Sequence, residues 1–275
     1  MDGKANKALG QHFLVSKSHA DRMVSYAGIR SGDLVLEIGP GRGALTDLLL
    51  ATGCHLTAVE VDARWAGELR SRHGGRERFR LIEGDVLQLD LAALLDLERN
   101  PARWKLVANL PYNVATPILH KVSCLESRLE SGTVMVQKEV AERILAGAHN
   151  RDIGLLTHLL GYHFSFQRGF TVPPGAFLPP PKVVSMVIRM VPRPPDPLRP
   201  EESFFRRVLE AAFAQRRKQL AKNLAALGWS EPWIRSLLAE RGIRSDARAE
   251  DLEREEFFWL ARELKDRGPA DRRES

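Results

Sequence analysis

The sequence predicts an α/β protein in which a doubly wound, mostly parallel sheet with an antiparallel edge hairpin precedes a small C-terminal all-α domain. Three observations carry this. From residue 34 to residue 110, short apolar runs alternate with amphipathic stretches, the pattern of βαβ units whose strands are covered on both faces. Two later apolar runs, joined by a Pro-rich connection, can pair as a hairpin. Residues 191–200, "VPRPPDPLRP", hold five prolines in ten positions, which excludes a helix or a central strand, and beyond them apolar residues recur at helical spacing.

In order, "LVLEIG" reads as a strand, "ALTDLLLAT" as a helix, "HLTAVEV" as a strand, "ARWAGELRSRH" as a helix and "FRLIEGD" as a strand. A leucine-rich helix and the fourth strand, "WKLVANL", follow. The second half continues with helix "ATPILHKVSCLES", strand "TVMVQ", helices "KEVAERILAG" and "GLLTHLLGYH", and the late strands "FSFQRGFTV" and "KVVSMVIRM". The division expected from this pattern is a sheet domain over residues 1–192, a stiff Pro-rich linker over 193–200 and a helical domain over 201–275. In that last part "ESFFRRVLEAAFAQRRKQLAKNLAAL" has helical periodicity throughout, and "PWIRSLLAERG" and "LEREEFFWLARELKDRG" add two further helices. Gly242 and Gly268 stand where C-caps belong, and Asp251 reads as an N-cap ahead of an acidic first turn.

With 275 residues and 44% apolar content, the chain can bury a core of this kind. Its only cysteines, Cys54 and Cys124, both lie in apolar segments, which argues against a disulfide framework and predicts two buried thiols in a reducing compartment. No window approaches the roughly 20 apolar residues that span a bilayer, and the N-terminus lacks a continuous apolar stretch, so a cytoplasmic location with no membrane partner is expected. A net charge of +6 and a pI near 9.5 suit a polyanionic partner. The excess is not a basic tail, because residues 201–275 hold 16 basic and 15 acidic side chains.

The stretch "VLEIGPGRGALT" sets Gly39, Gly41 and Gly43 between a strand and a helix, where an open α/β sheet binds nucleotide-like ligands. Glycine suits such a loop because the backbone must turn sharply and approach the ligand with no Cβ in the way. At the end of the next strand Glu60 can accept hydrogen bonds from both ribose hydroxyls, and one strand later Asp85 can accept from an adenine amine. Together these residues describe an adenosine site. The spacing is G-x-G-x-G rather than the dinucleotide G-x-G-x-x-G, and Glu37 stands two residues ahead of it, which favours a cationic ligand over a pyrophosphate. A P-loop is excluded because no G-K-[ST] follows. The spacing resembles that of Rossmann-like S-adenosylmethionine-dependent methyltransferases, whose cofactor carries a sulfonium.

The fourth strand ends in "NLPY". Alone, these residues would make a strand closing on a proline turn. Beside an adenosine site they can serve amine chemistry: the Asn109 side-chain carbonyl and the Leu110 backbone carbonyl can accept from an exocyclic amine and stabilise the positive charge that grows on its nitrogen during attack. Pro111 can brace the turn, and Tyr112 can stack the target base, which must be single-stranded or flipped out. No Ser-His-Asp arrangement, Cys–His pair or metal spacing such as H-E-x-x-H is present, so no metal is expected. His73, His120, His149, His158 and His163 stand singly and read as surface or satisfied histidines.

Taken together, "GQHFL", "EIGPGRGALT", "AVEVD", "GDV", "NLPYNVATPIL", "VQKEVAERI", "PPGAFLPPPKVVS" and "FAQRRKQLAKNL" resemble, in order and over almost the whole chain, the KsgA-type ribosomal RNA adenine dimethyltransferases. The resemblance implies dimethylation of two adjacent adenosines in a hairpin near the 3′ end of small-subunit (16S) rRNA, with S-adenosylmethionine as cofactor. It implies cofactor contacts from His12 and Leu14 in the N-terminal motif together with Gly39, Glu60, Asp85 and Asn109, and it makes Phe177 the ring that covers the target base opposite Tyr112. Departures are His12 where the family commonly has Asn, Ser16 where an acid is common, and "YNVAT" for "YNIST".

RNA contacts are expected from Arg206, Arg207, Arg216, Arg217, Lys218 and Lys222, six positive charges against Glu210 along one helix, with Lys4, Lys7 and Lys17 as further phosphate contacts. A monomer is expected of an enzyme that docks on a ribosomal particle. The alternatives are an Erm-type methyltransferase of large-subunit rRNA and a non-catalytic ribosome-assembly factor of the same fold; in the latter, Asn109 and the cofactor acids would be free to decay, and here they are present.

Overall fold

The computed structural model describes residues 11–96, 103–148, 150, 152–194 and 196–268, and in it the chain divides into two units. The first takes in the described residues up to Ala141 together with His163–Arg193; the second takes in the described residues from Glu142 to Tyr162 and from Pro194 onward.

The strands all belong to the first unit: β1 (Phe13–Leu14), β2 (Leu34–Ile38), β3 (His55–Glu60), β4 (Phe79–Glu83), β5 (Trp104–Asn109), β6 (Leu129–Gln137), β7 (Phe164–Val172), β8 (Phe177–Leu178) and β9 (Ser185–Pro192). Seven of them form one sheet in the order β4-β3-β2-β5-β6-β9-β7, in which β2, β3, β4, β5 and β6 run parallel and β9 runs antiparallel to both its neighbours. The late hairpin therefore forms, but β9 inserts between β6 and β7, which leaves β7 at the edge. Burial explains the choice: the first four residues of β9 are all buried, whereas β7 exposes its middle. β2 is buried at every residue and β5 at all but Asn109, as expected of parallel strands covered on both faces.

The helices of this unit include α1 (Lys17–Ala27), α2 (Ala44–Ala51), α3 (Ala63–His73), α4 (Leu91–Asp96) and α5 (Ala115–Ser123), and α6 (Lys138–Leu145) begins in it and ends in the second unit. Pro117 is tolerated in α5 because it lies in the first turn, where its missing N–H breaks no ladder bond. The sequence pattern alone does not announce α1, a polar helix that buries only Ala20, Met23, Val24 and Ala27. Cys54 is buried as expected, but Cys124, just past the end of α5, is exposed.

The second unit contains α7 (Leu155–His163) up to Tyr162, with α8 (Glu202–Phe213), α9 (Leu220–Leu224), α10 (Glu231–Glu240) and α11 (Arg254–Arg267). Residues 142–162, read from sequence as part of the sheet domain, join it because Leu155, Leu159 and Tyr162 pack with Phe205, Leu237, Phe257 and their neighbours in one apolar cluster. The Tyr162 hydroxyl also donates to the Pro200 carbonyl at 2.7 Å. Two further readings change. The helix expected through "QRRK" breaks: residues 214–219 form a turn between α8 and α9, stabilised by the buried Asn223 amide, which donates to the Ala212 carbonyl at 2.7 Å and the Gln215 carbonyl at 3.1 Å. The N-cap of α11 is Glu253, whose N–H donates to Glu256 at 2.7 Å, while Asp251 accepts from the N–H of Arg248.

Among the histidines, His73 is paired with Asp47 at 2.7 Å and His163 with Glu126 at 2.8 Å; His149 lies outside the described residues. His158 departs from expectation. It is buried between the rings of Phe213 and Phe257, centroids 5.5 and 4.7 Å away, and neither ring nitrogen has a hydrogen-bond partner among the described residues. Burial, with the nearby Arg254 charge adding and Glu255 opposing, pushes its pKa down from the ordinary 6.5 to about 4. Between those values the unfolded chain binds the proton and the folded one does not, so stability is lost as pH falls from 6.5 towards 4. The loss contributed by His158 approaches about 1.4 kcal/mol per pH unit in that window. Denaturant melts at pH 7 and pH 5 should show a smaller pH effect in His158→Leu than in the wild type.

Candidate active site

The site forms where the strand order reverses. The chain leaves β2 towards β3 on one side, while β5 lies on the other, so the loops that follow β2 and β5 part and leave a crevice at the strands' C-terminal ends. A cleft found there is lined by the glycine loop, Glu60, Asp85, the residues from Asn109 to Tyr112, and Gln11 to Leu14.

In the loop, Gly39, Gly41 and Gly43 all have positive φ, 69°, 54° and 85°. At Gly41 a second reason for glycine appears, since a Cβ would stand 2.9 Å from the Phe13 ring. The Gly39 N–H bonds the Val59 carbonyl at 2.9 Å. The buried Glu60 carboxylate then ties the loop to the next turn, Oε2 accepting from the Gly41 N–H at 2.8 Å and Oε1 from the Asp62 N–H at 2.9 Å. The Val61 N–H also supports the carboxylate, and with the Gly41 and Asp62 bonds spread over its two oxygens lone-pair capacity remains for a hydroxyl donor. Burial raises the Glu60 pKa and these amide bonds partly offset it. Asp85, exposed at the mouth beyond β4, accepts from the Leu87 N–H at 2.9 Å through Oδ1.

Glu37 lies deeper, 1% exposed, with Thr46 Oγ1 donating to its Oε2 at 2.8 Å. Burial pushes its pKa up to about 8; the Thr46 bond lowers it and the charges of Glu60 and Asp47 raise it. A ligand cation is the natural counter-charge for this pair of cleft carboxylates.

Across the cleft, Asn109 ends β5. Its side-chain Nδ2 donates to the His12 carbonyl at 3.2 Å, which commits the amide nitrogen and assigns Oδ1 as the remaining acceptor. A Cβ on Gly39 would lie 3.9 Å from the Asn109 carbonyl, so loop and strand end nearly touch. Leu110 is anchored by its N–H to the Met135 carbonyl at 3.1 Å, and Pro111 opens a turn closed by the Val114 N–H at 3.2 Å. Tyr112 is half-buried, with its hydroxyl on Ser185 Oγ.

Comparison with known proteins decides the family. The model of the ribosomal RNA adenine dimethylase family, described as "Ribosomal RNA adenine dimethylase", matches residues 3–266. The chain belongs to the ribosomal RNA adenine dimethylase family. It is 41% identical over 264 residues to a protein of Geobacter sulfurreducens named ribosomal RNA small subunit methyltransferase A, covering 95% of each chain. The identity is also 41% to a protein of that name from Synechococcus elongatus, covering 95% of this chain and 96% of the relative. Among solved structures, a dimethyladenosine transferase from Plasmodium falciparum superposes with a TM-score of 0.79 at 24% identity, covering 94% of this chain and 99% of that one. The 23S rRNA methyltransferase ErmE gives 0.69 at 24%, covering 92% and 99%. Both share the fold.

In this dimethylase most of the sequence-expected residues meet in the cleft: His12, Leu14, Gly39, Gly41, Glu60, Asp85, Asn109, Leu110, Pro111 and Tyr112. Phe177 does not. It is 3% exposed and packs in the core with Leu14, Met23 and Val24, because β8 pairs antiparallel with β1, Leu14 opposite Phe177, and turns Phe177 inward and Leu178 outward. Sequence reasoning missed this β1–β8 pairing and with it the contacts of His12, whose Nδ1 lies 2.8 Å from the Pro179 carbonyl and whose ring centroid is 5.2 Å from that of Tyr112. It also missed Ser185 and Thr46. The two strands are only two residues each, too short to show a period.

The six arginine and lysine residues expected to contact RNA from the helical part lie in the second unit. Arg206 and Arg207 are on α8, Lys222 is on α9, and Arg216, Arg217 and Lys218 occupy the turn between them, all three exposed. Arg216 donates to the Ile153 carbonyl at 3.2 Å. Lys17 begins α1 and is exposed, while Lys4 and Lys7 lie outside the described residues. No group of three or more His, Cys, Asp or Glu is placed to hold a metal ion, and no helix is long and apolar enough to cross a membrane, among the described residues.

With its pKa near 8, Glu37 is mostly protonated at pH 7 while the cleft holds no cation. Binding a cationic adenosyl ligand then releases a proton. Titration calorimetry at pH 7 in buffers of different ionisation enthalpy should give binding heats that vary with the buffer, and Glu37→Gln should remove the variation; identical heats in every buffer for the wild type would show that Glu37 gives up no proton on binding.

Proposed function

We propose that this chain dimethylates the exocyclic amines of two adjacent adenosines in a hairpin near the 3′ end of 16S rRNA, in the small ribosomal subunit or its precursor, using S-adenosylmethionine. The observation that carries the chemistry is the orientation of Asn109. With Nδ2 donated to the His12 carbonyl, Oδ1 is the side chain's acceptor at the cleft, next to the Leu110 backbone.

When bound, the cofactor supplies an electrophilic methyl group on a sulfonium. Glu60 accepts from its ribose hydroxyls, Asp85 from its adenine amine, and Glu37 supplies negative charge. The target amine is a poor nucleophile because its lone pair is delocalised into the ring. Oδ1 of Asn109 and the Leu110 carbonyl accept its two hydrogens in the first transfer and one of them the single remaining hydrogen in the second, favour a tetrahedral nitrogen and stabilise the charge that develops on it until its proton passes to solvent. These acceptors are fixed before the substrate arrives, by the His12 and Met135 contacts, so little reorganisation accompanies the reaction. Tyr112 offers a ring to the flipped base, a contact worth roughly 1–3 kcal/mol in other base–aromatic pairs. The basic turn between α8 and α9 meets phosphates.

The small-subunit target is supported by the 41% identity, over almost the full length, to proteins named for that subunit. Likeness to ErmE, at 24% identity, extends to the fold alone. A non-catalytic assembly factor would have no need of the Asn109–Glu60–Asp85 set. The protein acts as a monomer, in the cytoplasm where small subunits are assembled.

Purified protein with labelled S-adenosylmethionine should methylate immature small subunits at adjacent adenines, located by mass spectrometry of the rRNA; label confined to large-subunit RNA would overturn the assignment. Asn109→Ala should lower turnover roughly a hundredfold or more, by analogy with loss of one preorganised transition-state hydrogen bond, with a much smaller change in cofactor affinity. Equal losses in both would make Asn109 chiefly a cofactor contact.

A further inference from the structure

Tyr112 is held at two points that base stacking does not itself require. Its hydroxyl is hydrogen-bonded to Ser185 Oγ, and its ring lies 5.2 Å from the His12 imidazole at an interplanar angle of 32°. Both holders are themselves fixed. Ser185 is fully buried at the start of β9, where it stands opposite Gln137 of β6 and Val172 of β7, so sheet pairing on both sides sets its place. The His12 Nδ1 sits 2.8 Å from the Pro179 carbonyl, and because a carbonyl only accepts, Nδ1 carries the proton. Burial raises the Tyr112 pKa, against the Ser185 bond, which lowers it, so the phenol keeps its proton and the link to Ser185 persists across the neutral range.

Tyr112 follows Pro111 in a turn, where two side-chain torsions would otherwise leave its ring free to sample several orientations. A planar base is received by only one of them. We propose that Ser185 is a positioning residue for methyl transfer, holding the Tyr112 ring in the orientation that receives the target adenine. Ser185 touches neither cofactor nor reacting atoms; it acts through Tyr112. The distant segment around β9 thus contributes to the site by a single hydroxyl. The proposal rests on the stacking role given to Tyr112 above.

The test compares Ser185→Ala, Ser185→Thr, Tyr112→Phe, the Ser185→Ala/Tyr112→Phe double variant and Tyr112→Ala in the full-length protein. Three quantities are read: kcat and KM for RNA, affinity for S-adenosylmethionine, and quenching of 2-aminopurine placed at the target position. Ser185→Ala and Tyr112→Phe should each lower kcat/KM for RNA roughly tenfold, the scale of one lost hydrogen bond, and weaken the quenching, with cofactor affinity unchanged. The double variant should be no worse than either single one, because both remove the same bond. Ser185→Thr should restore activity. Tyr112→Phe probes the bond without touching β9, so a folding defect in Ser185→Ala does not block the test. Wild-type activity in both single variants, additive losses in the double variant, or loss of cofactor binding with unchanged quenching would each overturn the positioning role. Wild-type activity in Tyr112→Ala would instead remove the stacking role beneath it, whereas a loss confined to Tyr112→Ala would remove the positioning role alone.

Discussion

The parallel pairing of β2 with β5, which sets Glu37 opposite Val107 and Ile38 opposite Ala108, is the constraint on which the candidate site depends. It brings the strand that leads into the glycine loop beside the strand that ends in Asn109. Because the chain crosses from β2 to β3 on one side and returns to β5 on the other, the two exits diverge and a crevice is unavoidable. A register slip of one residue would reverse the facing of every side chain on the slipped strand.

On that frame the site concentrates negative charge. Glu37 and Glu60 are both buried near the ends of strands, and the Glu60 charge raises the cost of ionising Glu37. Glu60 is compensated by backbone N–H groups, among them those of Gly41 and Asp62, and ties the loop to the next turn, whereas Glu37 has one hydroxyl partner and its pKa is pushed up to about 8. A cationic ligand satisfies Glu37 where a pyrophosphate would repel it, which is the electrostatic reason the loop suits a sulfonium cofactor and not a dinucleotide.

The remaining wall of the cleft comes from far away in the chain. Pairing of β1 with β8 puts the His12 carbonyl where it orients the Asn109 amide, and the approach to β9 puts Ser185 where it meets the Tyr112 hydroxyl. The Asn109 amide and the Tyr112 ring are thereby held by groups whose places the backbone pairings set. The same pairing buries Phe177, so the ring expected over the base is part of the core that supports the site.

The sequence by itself determined the seven strands of the main sheet and most of the helices, though not α1 or the short β1 and β8, together with the glycine loop, Glu60 and Asp85 at successive strand ends, and the Asn-Leu-Pro-Tyr exit. Those signals are local: apolar period, glycine where φ is positive, proline where a strand must stop. It also misled locally, since helical periodicity ran unbroken through "QRRK", where the Asn223 amide takes over the carbonyls and ends α8. Burial of Cys124, Asp251 as N-cap and the domain assignment of residues 142–162 failed for the same reason, because each was judged from its neighbours in sequence. Tertiary structure alone decided that β9 enters between β6 and β7, that α7 packs with the helical unit, that His158 is buried without a partner, and that Phe177 faces inward. These depend on which surfaces remain to be covered once the sheet has formed, and a hydrogen bond between residues 167 apart, such as that of His12 with Pro179, leaves no periodic trace in the chain.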